Sequence, residues 1–200
     1  MQLNMNVILF QAGLLAVQGI TYLLVQHTKR PVHDMARPID ECIPLWPQFI
    51  LIYVLWYPLL VAFPLSLYHY SSGEGGLYQA YIVSIIVDII ISLLVYWFYP
   101  TSFTRPKVPQ DSLSGRLLSM MYIIDYKGLN CMPSMHCSQC FIILYYAFAC
   151  REMADGLQVL FAGLASAIVA STVFTKQHVL IDVVSALVLA VFCVFAASFL

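Results

Sequence analysis

Six stretches of this chain are long and apolar enough, or nearly so, to cross a lipid bilayer: 7–25, 47–68, 77–99, 134–150, 157–174 and 179–200. A helix needs roughly 20 residues, at a rise of about 1.5 Å each, to span the hydrocarbon layer. Inside that layer each backbone N–H and C=O must be satisfied within the protein, so a run of this length and composition is expected to be helical. The pattern predicts an all-α polytopic membrane protein, a six-transmembrane-helix bundle forming a single domain over 1–200. Composition points the same way: 62% of residues are hydrophobic and only 10% are charged, against about a quarter charged in an ordinary soluble domain. A formal net charge of −1 gives no reason to expect nucleic acid as a partner.

The stretches differ in ways that bear on packing. Residues 1–6 hold no Lys or Arg, and run 7–25 is too long for a signal-peptide core, so it is expected to stay as a helix. Pro58 and Pro64 are expected to kink the second stretch. The fourth is short and begins with polar residues, while the last two are rich in Ala, Ser and Gly, which suits close helix packing. Trp46, Trp56, Tyr57, Trp97 and Tyr99 fall where helices should meet the interface. Of the six cysteines, Cys137 and Cys140 stand at CxxC spacing, inside an expected helix. They read as small apolar fillers, and no metal or cofactor is implied.

Connections alternate between long charged loops (27–46, 100–131) and short turns (71–76, 151–156). With six crossings, the long loops and the junction between the last two helices fall on one side. That side carries Lys29, Arg30, Arg37, Arg105, Lys107, Arg116, Lys127 and Lys176, and the other carries Arg151 alone.

Three segments of the basic side could carry chemistry. His178 and Asp182 are four apart, so on a helix they share a face and can touch. A carboxylate that accepts the Nδ1–H of imidazole leaves Nε2 free as a base or nucleophile. Asp182 lies about one turn into an apolar stretch, where an unpaired charge is costly, and pairing with His178 explains its presence. A polar pair that only locks helix packing is the competing account. In the segment Cys131-Met132-Pro133-Ser134-Met135-His136, Pro133 suits the first turn of a helix. The backbone N–H groups at Ser134 and Met135, with the Ser134 hydroxyl, would form an anion site beside His136. The third segment places Arg105 before Pro106, just beyond a helix end, where its guanidinium could grip phosphate or anchor a headgroup.

Together these residues spell RP after a membrane helix, then PSxH, then S-x6-H-x3-D from Ser171 through His178 to Asp182. The chain resembles the type 2 phosphatidic acid phosphatase superfamily, whose signature is K-x6-RP, PSGH and SR-x5-H-x3-D, in motif order, loop placement and helix count. It departs where Phe98 stands for the motif Lys, Met135 for Gly and Thr172 for Arg. These changes, with YPTSFTRP and TKQHVLID, look more like the branch that includes inositol phosphorylceramide synthases and their bacterial relatives. Lys176 and Lys107 are the nearby candidates to replace the two missing cations.

The resemblance implies an integral membrane lipid phosphatase in which His178 attacks phosphorus, Asp182 orients it and His136 acts as general acid. Arg105, Ser134, Met135, Lys176, Lys107 and Ser171 would bind the phosphate, without metal or cofactor. The partners implied are a phosphorylated lipid and the bilayer. Two alternatives remain open: transfer of the phosphoryl or phosphoalcohol group to an alcohol, and a non-catalytic lipid-binding or transport protein. Counting Lys and Arg puts the motif side in the cytoplasm, whereas the resemblance puts it on the extracytoplasmic face, and the second is adopted because a phosphate site must itself be basic. Asp88, about 16 Å below that face by helical rise, is expected to make a structural hydrogen bond.

Overall fold

The computed structural model describes residues 5–26, 32–71, 76–125 and 128–199. Lys29, Arg30, Lys127 and part of the turn 71–76 lie outside them. The fold is all-α. Among the described residues, five apolar helical stretches are long enough to cross a membrane: α1 (Met5–Gln26), the run Pro47–Tyr70, α5 (Leu77–Phe98), α8 (Asp155–Phe174) and α9 (Leu180–Ala197). The fourth expected span is shorter. Helix α7 (Met135–Ala149) has 15 residues, about 22 Å by helical rise against about 30 Å of hydrocarbon. Ser134 caps its first turn by accepting from the Cys137 N–H at 3.3 Å, so Pro133 precedes the helix and does not lie in its first turn.

The second stretch is broken rather than bent. It runs as a 3-10 turn (Pro47–Phe49), then α3 (Ile50–Tyr53), then α4 (Trp56–Tyr70). Pro58 has no N–H to offer the Val54 carbonyl, which accepts instead from Tyr57 N–H at 3.4 Å. The helix restarts there, while Pro64 is accommodated inside α4.

Helix α7 is the central post, with nine of its 15 residues buried. It packs against α5, α8 and α9, and the main core fills the space between these helices and α4. Small residues permit the closeness: Ala147, Cys137, Cys140, Ala165, Ala186 and Cys193 are all essentially inaccessible. Asp88 is fully buried in this core, facing Ser138 and Gln139 of α7, but neither carboxylate oxygen has a hydrogen-bond partner among the described residues, so the structural hydrogen bond expected of it is not seen. Helix α1 is peripheral and touches mainly α4 and α5.

The long loops contain structure that hydropathy alone does not reveal. Strand β1 (His33–Asp34) pairs in parallel with β2 (Thr101–Ser102), a short α2 (Pro38–Glu41) follows β1, and α6 (Leu113–Ile124) follows β2. These loops close over one end of the bundle. Asp40 Oδ1 accepts from the Leu180 N–H at 2.9 Å, and the Tyr122 hydroxyl donates to the Thr175 carbonyl at 2.7 Å. Trp46 stacks on Phe174, 4.8 Å between ring centroids. The expected meeting of both long loops and the 174–180 junction at one end is what the contacts show.

Candidate functional site

His178 and His136 are brought together at this end by two helix starts. Helix α8 ends in a hydrogen-bonded reversal: Lys176 N–H donates to the Val173 carbonyl at 3.1 Å and Gln177 N–H to the Thr172 carbonyl at 2.9 Å. This is the pairing of a Schellman motif. Lys176 sits at its left-handed position, φ 51°, where glycine is usual. The turn delivers Gln177 and His178 to the start of α9, whose N-cap is Val179. His178 therefore precedes the helix, and it meets Asp182 by a route other than a shared helical face. Asp182, in the first turn, reaches back so that Oδ2 accepts from the Val179 N–H at 3.0 Å and from His178 Nδ1–H at 3.2 Å. With Nδ1 as donor to an acceptor-only carboxylate, Nε2 carries the free lone pair.

His136 lies in the first turn of α7, clamped between aromatic rings. Its ring centroid is 4.1 Å from Trp56 and 4.6 Å from Tyr53. The break before Pro58 sets these two rings at the end of α3 and the start of α4, so the proline serves the site through backbone geometry. Trp56, expected in the interfacial belt, is instead buried against His136, whereas Trp46, Tyr57, Trp97 and Tyr99 are exposed. The His136 and His178 ring centroids stand 5.9 Å apart. A hydrogen bond of 3.4 Å from Ser134 N–H to the Asp182 carbonyl ties the two helix starts together. The Tyr96 hydroxyl donates to the Pro133 carbonyl at 2.6 Å and fixes the same corner from α5.

Both histidines line one cavity of about 290 Å³. Its walls come from α1, the α3–α4 break, α5, α6 and the segment 129–131, and they are chiefly aromatic and aliphatic. Such a cavity, apolar with a few convergent polar groups, is what a ligand with a hydrocarbon part requires.

The expected phosphate-binding residues are placed variously. Met135 lines the cavity; Arg105, Lys107, Lys176, Ser134 and Ser171 do not. Arg105 is paired with Asp125, donates to the Asp125 carbonyl at 3.1 Å and lies over the Tyr122 ring at 4.8 Å. Burial works against its charge, but the Asp125 carboxylate outweighs that and holds the guanidinium pKa above its ordinary value. It faces a second, more open cavity of about 560 Å³ with Asp34 and Tyr122. Lys176 Nζ donates to the Asp40 carbonyl at 2.6 Å, and partial burial lowers its pKa against the opposing pull of Asp40. Lys107 is exposed. The Ser134 hydroxyl caps α7, and the Ser171 hydroxyl bonds back to the Ile168 carbonyl at 2.6 Å.

Comparison with family models, with curated proteins and with solved structures finds no match. The site is therefore read from its own geometry. Sequence reasoning passes over Gln177, Asn130, Tyr53 and Asp125, all of which line the histidine cavity. Gln177 alone carried a signal, as a polar residue next to His178 at a helix start.

Proposed function

We propose that this protein is an integral membrane enzyme that cleaves a phosphate ester of a lipid through a phosphohistidine on His178. The observation that carries the reading is the pairing of His178 with buried Asp182, facing His136 across a largely apolar cavity. His178 Nε2 attacks phosphorus, forming an N–P bond as the P–O bond to the lipid breaks. Asp182 accepts the Nδ1–H throughout and stabilises the charge that develops on the ring. His136 gives its proton to the departing oxygen, as general acid. Water then attacks phosphorus and loses its proton to His136, and the N–P bond breaks to release phosphate.

The signature residues Arg105, Pro106, Pro133, Ser134, His136, Ser171, His178 and Asp182 support membership of the type 2 phosphatidic acid phosphatase superfamily. Under this reading α7 completes a six-helix bundle as a short span, and the loop-covered end lies on the extracytoplasmic face. An alcohol in place of water would make the same centre a phosphotransferase, and the closely walled cavity favours keeping that second reading.

The deciding measurement is phosphate release by purified protein in detergent and EDTA, from phosphatidate, lysophosphatidate and a prenyl diphosphate. Headgroup transfer from phosphatidylinositol to ceramide or diacylglycerol is scored in parallel. His178→Ala is expected to abolish the activity. Full activity in that variant would defeat both enzymatic readings, and transfer without release would select the phosphotransferase.

A further inference from the structure

The cations expected at the phosphate are engaged elsewhere, Arg105 with Asp125 and Lys176 with the Asp40 carbonyl. Besides Asp125, which pairs with Arg105, and Gln18 and Tyr22 of α1, the histidine cavity is lined by neutral polar groups of another kind. Gln177 is 2% exposed and Asn130 3%, and both line the cavity with Trp56. Gln177 Nε2 and Oε1, Asn130 Nδ2 and Trp56 Nε1 are all buried and without a hydrogen-bond partner among the described residues. Buried polar atoms are nearly always paired, so four such atoms on one cavity wall, beside two histidines, need an explanation.

Their backbones add to it. Asn130 holds a left-handed conformation, φ 60°, which Asn tolerates better than most residues. Its own N–H donates to the Thr101 carbonyl at 2.8 Å, which commits the main chain and leaves the side-chain amide to the cavity. Gln177 N–H is likewise spent on Thr172. Trp56 is held by its contact with His136, so its N–H has a fixed position.

We infer that Gln177, Asn130 and Trp56 form a neutral hydrogen-bonding cradle for the phosphate of the lipid, in the role that Lys and Arg would otherwise fill. The inference rests on the reading of His178 as the nucleophile. In a cavity walled largely by apolar groups, fixed N–H dipoles stabilise charge on phosphoryl oxygens without a formal counter-charge. Either end of the Gln177 amide can be turned to the ligand, because neither is committed. Gln177 follows directly on the α8 turn that sets His178, so one backbone device places nucleophile and donor together.

The test uses full-length protein in detergent and EDTA, in a His178→Ala background that prevents turnover. Binding of dioctanoylphosphatidate is compared with binding of dioctanoylglycerol, which lacks the phosphate. Gln177→Glu and Asn130→Asp each change volume little and present a carboxylate where a donor amide stood. Each is expected to weaken phosphatidate binding at least tenfold while leaving dioctanoylglycerol binding unchanged. In the His178-intact protein the same variants should lower kcat/KM by about 10²–10³, the usual cost of losing one such donor. Unchanged phosphatidate affinity in both variants, with the parent still releasing phosphate, would overturn the cradle and leave the function standing. A parent that neither binds nor hydrolyses dioctanoylphosphatidate, and that acts on no other lipid of the panel, would overturn the reading beneath it. A variant that loses both ligands has lost its fold, and Gln177→Met or Asn130→Ser then replaces it under the same criteria.

Discussion

Lys176 shows how one side chain can carry two different expectations. Its place two residues before His178 suggests a phosphate-binding cation, yet its backbone occupies the left-handed position of the turn that ends α8. A residue other than glycine gives up about 1 kcal/mol there. The bond from its ammonium to the Asp40 carbonyl contributes a similar amount at most, being partly solvated. Lys176→Gly is therefore expected to stay within about 1 kcal/mol of the parent and to keep most of its phosphate release, whereas Lys176→Ala should be the less stable of the two. Thermal unfolding in detergent, with release assayed on the same samples, reads both. Activity lost equally in the two variants, at unchanged stability, would return Lys176 to the phosphate. At this scale the sequence singled out His136, His178 and Asp182, chemically distinctive in an apolar chain, and the structure brings the three side chains together. It could not reveal which cations are free, since Asp125 and Asp40 reach Arg105 and Lys176 only through the folding of loops.

Among the elements, five of the six stretches read from hydropathy reappear as apolar helical runs long enough to span, with ends close to expectation in α5 at Leu77–Phe98 and α8 at Asp155–Phe174, while the fourth is the shorter α7 and the second is broken. Helix α6 was missed because it lies inside a charged loop and is only 12 residues long. Its signals were local: Ser112 caps it by accepting the Gly115 N–H at 3.1 Å. Gly115 is required there, since a Cβ would meet the Pro109 carbonyl oxygen at 2.0 Å. The helix buries Leu118 against α3 but exposes Leu113, Met120, Ile123 and Ile124. An exposed apolar face next to a membrane bundle is expected to lie in the headgroup boundary. A spin label at Ile123→Cys, with the exposed thiol of Cys42 removed as Cys42→Ser, should collide more with oxygen than with a water-soluble nickel chelate. A label at Asp111→Cys, in the loop before α6, should show the reverse. Equal nickel access at both sites would mean that α6 stands in water.

On the scale of the whole molecule, α1 is set apart from the bundle around α7. Leu14 and Leu15 pack it on the main core, and polar contacts add to this: Gln11 to Tyr78 at 3.1 Å, Gln18 with Gln139 at 3.2 Å, and Tyr22 to Asp125 at 3.0 Å. Along this face it supplies Leu15, Gly19 and Leu23 to the wall of the histidine cavity, so the two histidines and an apolar lane along α1 share one cavity. A lipid whose phosphate sits at His178 would lay its chain in that lane. This arrangement was not legible from the sequence, where α1 is simply the least distinctive apolar run, because the lane exists only between α1 and the break before Pro58. Gly19 offers a way to probe it, since an added Cβ there meets nothing within 4 Å. Gly19→Phe should fold at least as well as the parent, phenylalanine being the better helix former by a few tenths of a kcal/mol. It should also narrow the lane, raising KM for a long-chain lipid roughly tenfold, the scale on which apolar pockets discriminate. The effect on a dioctanoyl substrate should be much smaller, and kcat for both should change little, because the ring is added away from the histidines. Equal KM values for long and short chains in parent and variant would show that the chain lies elsewhere, and that α1 shields the cavity without receiving the lipid.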